Sequence, residues 1–272
     1  YNERHAEMQS LFPSLKHAGP KEHLMKLKKA KEALNIPLIA SLNCVFEDTW
    51  IDYVQKVQET GVDGLELNFY AAPRDIQTSG ASIEQEQIKL LGLLKKKIKI
   101  PFSVKLSPFY SNPLHVVAQM DKEGVGAFVL FNKLFQPDIN IDKQELIFPY
   151  NLSNPDENRL ALRYTALLFG QINANICSNT GILSGADVVK MILAGADAVQ
   201  VVSSLYKNKI TYIKTMLAEI ESYMKEKNYN SLADFKGIMS LQNIKDPFAY
   251  KRAQYVDILM KSDTIFTKFS PR

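Results

Sequence analysis

The stretch NICSNTGILSGADVVKMILAGADAVQVVSSLY, residues 175–206, decides the fold of this chain. It begins with a short apolar run, passes through a turn of small residues at 178–181, and continues with apolar side chains at helical spacing over 184–194. A second apolar run follows at 198–202, and another helix is predicted to begin near Leu205. The stretch therefore predicts a strand, a helix, a second strand and a second helix, in that order.

Small polar residues follow both predicted strands of this stretch, just before a helix begins. Such a place suits a phosphate, because backbone N–H groups and the helix dipole attract an anion and small side chains allow its close approach. In eight-stranded α/β barrels the loops after strands seven and eight form this kind of site. A pair of ordinary turns without a ligand explains the same pattern, so both interpretations stay open.

The alternation of strands and helices continues through the rest of the chain. Strands are predicted near 38, 65, 102, 127, 174 and 198, and helices over 21–34, 48–59, 83–97, 113–123, 159–169 and 212–227, with a short one at 231–235. The first strand, 38–42, is an apolar run predicted to be buried on both faces. Three similar turns place Gly just after a helix and an apolar strand soon after it: 59–68, 122–132 and 193–202. This repetition predicts one domain over residues 1–272.

Alternating βα units form either a closed barrel or an open doubly wound sheet. We predict an α/β fold of the (β/α)8 TIM-barrel class, with its first two strands preceding Tyr1. The open sheet is the alternative. The chain does not begin with Met, and we expect it to be the later part of a longer chain.

Two segments depart from the repeat. Residues 136–154, QPDINIDKQELIFPYNLSN, carry alternating apolar side chains that predict a hairpin. We expect this excursion to lie over the barrel mouth as a lid, and a surface excursion without ligand contact is the alternative. The apolar tail 246–272 is expected to pack on the outside of the barrel or against a second copy of the chain, which leaves a homodimer open.

Composition excludes several classes of partner. The net charge is only +4, from 33 basic and 29 acidic residues, so a nucleic-acid partner is not indicated. Every apolar run is interrupted well short of the about 20 residues needed to cross a membrane, so no membrane partner is predicted. Cys44 and Cys177 each end an apolar run and are poor disulfide candidates, which is typical of the reducing cytoplasm. No zinc or iron–sulfur spacing occurs, so no metal is predicted.

The residues at strand ends are those to consider for chemistry, because active sites of barrels lie there. They are Asn43, Asn68, Tyr70, Lys105, Ser107, Asn132, Lys133, Asn179, Thr180, Ser203 and Ser204. Four strands end at or beside Asn, whose amide both donates and accepts hydrogen bonds, and a ring of amides suits a planar heterocycle. Any one of them alone is more often a turn residue.

Lys105 lies near the end of a strand that should be buried. A buried ammonium group is unfavourable unless an anionic or electron-rich group meets it. That group is either a ligand or the carboxylate of Glu66 on the preceding strand. The four histidines lie away from strand ends, so a histidine base is not predicted, and no dinucleotide or Walker motif occurs.

Several sequence blocks together resemble, in order and spacing, the dihydroorotate dehydrogenases, and especially their divergent dihydroorotate dehydrogenase-like branch. The blocks are ELNFYAAP (66–73), SVKLSP (103–108), LFNK (130–133), residues 175–206 and NYNSLADFKG (228–237). The resemblance implies an FMN-binding barrel and an FMN-dependent oxidoreductase that acts on a CH–CH bond of a small molecule in pyrimidine metabolism.

The resemblance also implies roles for individual residues. Asn68 and Lys105 match contacts to the flavin ring, and Asn132 matches a residue near flavin and substrate. Four more residues match the pairs that hold the FMN phosphate through backbone N–H groups: Thr180 with Gly181, and Val202 with Ser203.

The chain departs from the family pattern at three positions. Ala71 stands where the family has its Cys or Ser base, and Pro73 replaces a substrate-binding Asn. Thr180 replaces the first phosphate-loop Gly, which is tolerable only if the Thr180 backbone keeps a negative φ. Three polar residues remain to bind a different, anionic substrate: Tyr70, Arg74 and Lys133. Of these, Tyr70 and Lys133 are candidates for the acid or base.

The departures leave two other functions open. The first is a catalytically altered flavin-binding subunit of a larger complex, without dihydroorotate activity. The second is a phosphate-ester lyase or isomerase built on the same barrel.

Overall fold

The structure, a computed structural model, describes residues 20–44, 46–71, 76–134, 136–149, 152–246, 250 and 260. The chain forms two compact units, unit 1 from Tyr1 to Val129 and unit 2 from Leu130 to Arg272. The expected packing of the tail 246–272 lies mostly outside the described residues. The prediction of a single domain over 1–272 stays a prediction.

Unit 1 alternates helices and strands in the predicted order. Its elements are α1 (Pro20–Ala33), β1 (Ile39–Leu42), α2 (Glu47–Gln58), β2 (Gly64–Phe69), α3 (Gly80–Lys95), β3 (Phe102–Leu106), α4 (Pro113–Asp121) and β4 (Ala127–Leu130), whose last residue opens unit 2. The strands lie in the order β1-β2-β3-β4, and β1, β2 and β3 pair in parallel. These are the βα repeats that the sequence predicts.

Helix α2 shows why these residues form a layer of helices on the sheet. Its buried side chains, Trp50, Val54 and Val57, recur at helical spacing. Trp50 meets Phe69 of β2 edge to face, with ring centroids 5.5 Å apart. The apolar face of the helix thereby covers one face of the sheet.

The prediction that β1 is buried on both faces is wrong. Ala40 and Leu42 are buried, but the alternate residues Ile39 and Ser41 are exposed, Ile39 by 61%. Successive side chains of a strand point to opposite faces. Within the described part of the chain, only one face of β1 is therefore covered.

Unit 2 contains the predicted hairpin and the stretch 175–206. Its elements are β5 (Asp138–Asn140), β6 (Glu145–Ile147), a 3-10 turn (Pro155–Glu157), α5 (Asn158–Leu168), β7 (Asn175–Ser178), α6 (Gly185–Ala194), β8 (Ala198–Val199), α7 (Ser203–Asn208), α8 (Tyr212–Lys227) and a second 3-10 turn (Leu232–Asp234). Strands β5 and β6 pair antiparallel, which confirms the hairpin. Its place over a barrel mouth stays a prediction.

Strand β7 lies between Leu130 of β4 and strand β8. The N–H of Asn179 donates to the carbonyl of Leu130 at 2.6 Å, and β7 pairs in parallel with β8. Strand β8 is shorter than predicted. The N–H of Gln200 makes one more bond to the Ser178 carbonyl at 2.9 Å, and the chain then turns into α7 at Ser203.

The core of unit 2 packs α6 against α8. Buried Val188, Met191 and Ile192 of α6 meet Met216 of α8. Gly185 allows this close approach, because a Cβ at that position would lie 2.5 Å from the Met216 carbonyl oxygen. In the residues that the structure describes, no helix has the length and apolar character to span a membrane.

Candidate functional site

The two predicted flavin-ring residues lie directly opposite one another on neighbouring strands. Asn68 of β2 pairs in register with Lys105 of β3, and Glu66 pairs with Ser103 two residues earlier. Because side chains alternate along a strand, these four share one face of the sheet. Leu67 and its alternate neighbours point to the helix side and are buried. Unit 1 thus presents a small polar face on an otherwise apolar sheet.

Lys105 is held beside a carboxylate on this face. Its Nζ lies 3.8 Å from Oε1 of Glu66, and the two side chains are only 15% and 7% exposed. Glu66 also accepts a hydrogen bond from the Ser41 hydroxyl at 3.0 Å. The sequence offers the Glu66 carboxylate as the alternative to a ligand beside Lys105. This ion pair is present, although at 3.8 Å it is longer than a hydrogen bond. A ligand role for Lys105 stays a prediction.

A cavity of about 300 Å³ opens beside Ala71, at the end of β2. Its lining is Cys44, Trp50, Phe69, Tyr70, Ala71, Thr78, Ile83, Glu86, Gln87 and Leu90. This volume is at the lower end of the range for small-molecule sites. The sequence gives no signal for the cavity, because it depends on how α2 and α3 pack beside β2. Arg74 and Pro73 lie outside the described residues.

The Cys44 thiol beside Ala71 does not supply a base at this position. Ala71 itself cannot take a proton. Burial raises the pKa of the Cys44 thiol to about 11, so this thiol is neutral at physiological pH. Tyr70 is partly exposed and lines the cavity, which keeps it as a candidate.

In unit 2, the turn after β7 contains two consecutive residues in the left-handed region. Thr180 has φ +74° and Gly181 has φ +73°. The negative φ that the sequence analysis required of Thr180 at this position is therefore not found. The reason is a pair of bonds to one carbonyl: the Thr180 hydroxyl and the Asn179 amide donate to Phe131 O at 2.8 and 3.2 Å. These bonds hold Thr180 in a conformation that disfavours a β-branched residue.

Gly181 is required at its position for a second reason besides its φ. A Cβ there would lie 2.4 Å from the backbone nitrogen of Asn158, at the start of α5. The turn after β7 therefore packs directly against the backbone of α5.

The turn after β8 lies at the same end of the next strand. Strands β7 and β8 pair with Ser178 opposite Val199, which brings the turn with Thr180 and the turn with Ser203 to neighbouring positions. Ser203 begins α7, and its hydroxyl accepts from the N–H of Ser153 at 2.8 Å. Ser204 is fully buried, and its hydroxyl has no hydrogen-bond partner in the described portion of the chain. The four predicted phosphate residues are thus brought together as two adjacent turns.

Lys133 is engaged by residues of unit 2. Its Nζ lies 2.8 and 3.0 Å from the Glu157 carboxylate oxygens and 3.0 Å from the Leu152 carbonyl. Burial alone would raise the pKa of Glu157, but hydrogen bonds from Lys133 and from Asn154 outweigh it and the pKa is lowered. Lys133 therefore binds the segment that follows the hairpin, through Leu152 and Glu157. Asn132, just before it, is half-buried.

The contacts of segment 152–158 with the turns after β7 and β8 were not predicted from the sequence. Ser153 contacts the turn after β8, and the Asn158 amide donates to the Gly181 carbonyl at 3.2 Å. The local pattern Asn-Pro-Asp-Glu at 154–157 does indicate a helix start, and the structure forms a capping box between Asn154 and Glu157. Nothing in that pattern indicates the distant contacts.

Among the residues that the structure describes, the possible metal ligands form no cluster. Over residues 20–246, apart from the four short gaps in the description, no group of three or more His, Cys, Asp or Glu side chains is arranged to hold an ion.

Comparison with known proteins identifies relatives of the chain. Residues 15–224 match the family model for dihydroorotate dehydrogenase. The catalytic subunit of dihydroorotate dehydrogenase B (NAD(+)) from Thermoplasma acidophilum is 26% identical over 208 residues, which cover 74% of this chain and 68% of the relative. The same subunit from Methanocaldococcus jannaschii is 27% identical over 223 residues, covering 79% and 72%.

A relative with a different name also matches. The chloroplastic dihydropyrimidine dehydrogenase (NADP(+)) of Arabidopsis thaliana is 24% identical over 220 residues, which cover 74% of this chain and 51% of the relative. All three relatives are dehydrogenases by name. The family match confirms the resemblance found in the sequence and, together with the parallel βα repeats, the α/β fold of the TIM-barrel class.

Proposed function

The chain belongs to the dihydroorotate dehydrogenase family of oxidoreductases, and from that premise we propose that it binds FMN and acts on a CH–CH bond of a small anionic substrate. The observation that carries the proposal is the register of Asn68 opposite Lys105 on one polar face of β2 and β3. These are the residue types and positions expected to contact a flavin ring.

The residues of unit 2 fit the phosphate end of FMN. Thr180 and Gly181 lie in the turn after β7, just before α6, and successive backbone N–H groups of a turn can form a concavity that binds an anion. Gly181 keeps the turn free of a side chain at its closest contact. We therefore propose Thr180, Gly181, Val202 and Ser203 as the phosphate residues.

The residues of unit 1 would orient and tune the ring. The Asn68 amide offers donors and an acceptor, and Lys105 provides a positive charge 3.8 Å from the Glu66 carboxylate. When bound, FMN supplies the group that accepts or gives a hydride. Asn132 is proposed to lie near ring and substrate.

We also propose a substrate class, a location and a role for the hairpin. The substrate belongs to pyrimidine metabolism, with Tyr70 as a candidate acid or base. Both cysteines are thiols, which supports a reducing, cytoplasmic location. The hairpin β5–β6 serves as a lid, and the chain acts as one FMN-binding domain.

Absorbance spectroscopy tests the cofactor and the substrate in turn. We expect the purified protein to show the flavin bands, and anaerobic mixing with dihydroorotate to bleach them, while orotate, which is already oxidised, leaves them unchanged. A colourless protein that does not bind added FMN would refute the cofactor. A yellow protein that dihydroorotate does not bleach would remove that substrate only.

Ala71 favours a second candidate, a flavin-binding subunit without dihydroorotate activity. Replacing Ala71 by Cys or Ser restores the group that the family uses as its base. If the second candidate is correct, Ala71→Cys creates dihydroorotate turnover that the natural chain lacks. The matched control is Ala81→Ser on the exposed side of α3, which should create none. Turnover already present in the natural chain would exclude this candidate.

A further inference from the structure

The segment 152–158 joins the two turns that the proposed function assigns to the phosphate. At its first end, the N–H of Ser153 donates to the Ser203 hydroxyl at 2.8 Å, and Lys207 Nζ donates to the Ser153 carbonyl at 2.9 Å. Ser153 is buried. The segment is thereby tied through its backbone to the beginning and the second turn of α7.

At its other end, the segment is tied to the turn after β7 through one side chain. The Asn158 amide nitrogen donates to the Gly181 carbonyl at 3.2 Å and to Oδ1 of Asp187 at 3.1 Å. An amide nitrogen carries two hydrogens, so both of its donors are used. Asn158 is 5% exposed, and water cannot easily replace these bonds.

Asp187 fixes the orientation of this amide. Its carboxylate also accepts from the Leu183 N–H at 3.1 Å, the Ser184 hydroxyl at 3.0 Å and Lys190 Nζ at 2.9 Å. The carboxylate is therefore held from three sides at the start of α6. An amide that donates to it is held in turn.

An ion pair holds the middle of the segment. Glu157 accepts from Lys133 and closes the capping box with Asn154. Backbone contact adds to this, because Gly181 lies so close to residues 157 and 158 that no Cβ fits between them. The segment is therefore held by hydrogen bonds, an ion pair and close backbone packing at once.

We infer that Asn158 is a positioning residue for the phosphate site: through Gly181 it holds the turn after β7 in place relative to the turn after β8, to which Ser153 ties the same segment. The inference rests on the proposed function and deepens it. A phosphate must contact donors of both turns at once, and binding depends on fixing their separation in advance. The ring of the flavin makes no such demand on these turns.

Comparing FMN with riboflavin tests this role, since riboflavin has the same ring and no phosphate. The full-length chain, freed of flavin, is titrated with each by the quenching of flavin fluorescence. We expect the natural chain to bind FMN more tightly. Asn158→Ala should weaken the affinity for FMN by about tenfold and leave the affinity for riboflavin within about twofold of the natural value. Asn158→Asp places a second carboxylate beside Asp187 and should weaken the affinity for FMN further.

Two more variants complete the design. Glu157→Gln removes the ion pair with Lys133 and leaves Asn158 intact. It should weaken the affinity for FMN by about threefold. It tests the segment if Asn158→Ala does not fold. Arg159→Ala is the control, because Arg159 is exposed and pairs only with exposed Asp156 in the described structure. It should change neither affinity.

The outcomes separate the inference from the function on which it rests. If Asn158→Ala weakens FMN and riboflavin alike, or neither, Asn158 has no role specific to the phosphate and the inference is wrong, while the proposed function stands. If the natural chain binds FMN no better than riboflavin, the phosphate site itself is wrong and the inference falls with it.

Discussion

In unit 1 the candidate residues Asn68 and Lys105 lie inside strands, whereas in unit 2 the candidates Thr180 and Gly181 lie in a turn. The strand residues are placed by a ladder of backbone pairs that any parallel sheet forms. The turn residues are placed by bonds to side chains and carbonyls from distant parts of the chain. A site of the first kind tolerates loss of one contact better than a site of the second kind, and mutations can test this difference.

The largest effect is expected at Gly181. Gly181→Ala adds a Cβ 2.4 Å from the Asn158 nitrogen at a residue with φ +73°. Because the neighbour is backbone and cannot move aside, we expect a loss of about 4 kcal/mol in the free energy of unfolding. Denaturant unfolding measures it. The control is Gly80→Ala at the start of α3, where a Cβ meets nothing within 4 Å. Equal stability of the two variants would contradict the described packing.

The sequence predicts much of unit 1 for a physical reason. Strand residues alternate and parallel strands end together, so the pairing of Asn68 with Lys105 follows from finding the two strands. Whether a face is covered does not follow from the strand itself, which is why the expectation for β1 fails at Ile39 and Ser41.

The turn residues of unit 2 could not be placed in the same way. The φ of Thr180 depends on the Phe131 carbonyl, 49 residues earlier in the chain. Ser153 is bound to a residue 50 positions later, and Asn158 to one 23 positions later. Local pattern identifies the turn and the helix start, but it carries no information on which distant group will meet them.

Lys105 tests whether the strand site depends on its ion pair. Lys105→Met leaves the Glu66 carboxylate buried with the Ser41 hydroxyl beside it, and we expect a loss of about 2 kcal/mol in the free energy of unfolding. Adding Glu66→Gln removes the buried charge and should recover most of that loss. If Lys105 also tunes a bound flavin, the double variant regains stability without regaining the natural rate of flavin reduction. Recovery of both would assign Lys105 to the ion pair alone.

Asp187 tests the turn site through pH. Burial alone would raise the pKa of Asp187, but the hydrogen bonds from Lys190, Leu183 and Ser184 outweigh it, and the pKa is lowered in the folded state. A carboxylate with a lowered folded pKa contributes stability above its unfolded value, about 3.9, and loses it as pH falls through the folded pKa.

Asp187→Asn removes this contribution. We expect the loss of these hydrogen bonds to a charged group to lower the free energy of unfolding at pH 7 by about 1 kcal/mol. The difference from the natural chain should shrink as the pH falls below about 4. Unfolding curves measured between these pH values check it. Asp142→Asn, in the exposed turn between β5 and β6, is the matched control for the replacement of a carboxylate by an amide and should leave the free energy of unfolding at pH 7 within about 0.5 kcal/mol of the natural value. A difference that stays constant with pH would mean that the charge of Asp187 does not matter.

The smallest net effect is expected at Thr180, where two contributions oppose each other. Thr180→Gly relieves a left-handed conformation that costs a β-branched residue about 1–2 kcal/mol. It also loses the hydroxyl bond to Phe131 O, worth about 1 kcal/mol. Gly further raises the conformational entropy of the unfolded chain, which lowers the free energy of unfolding by about 1 kcal/mol. The free energy of unfolding should therefore stay within about 1 kcal/mol of the natural value. Thr180→Val keeps the shape and the strain and loses only the bond, so it should be the less stable variant. If instead Gly is as damaging as Val, the hydroxyl bond dominates, and the turn depends on its distant partner even more than its backbone conformation indicates.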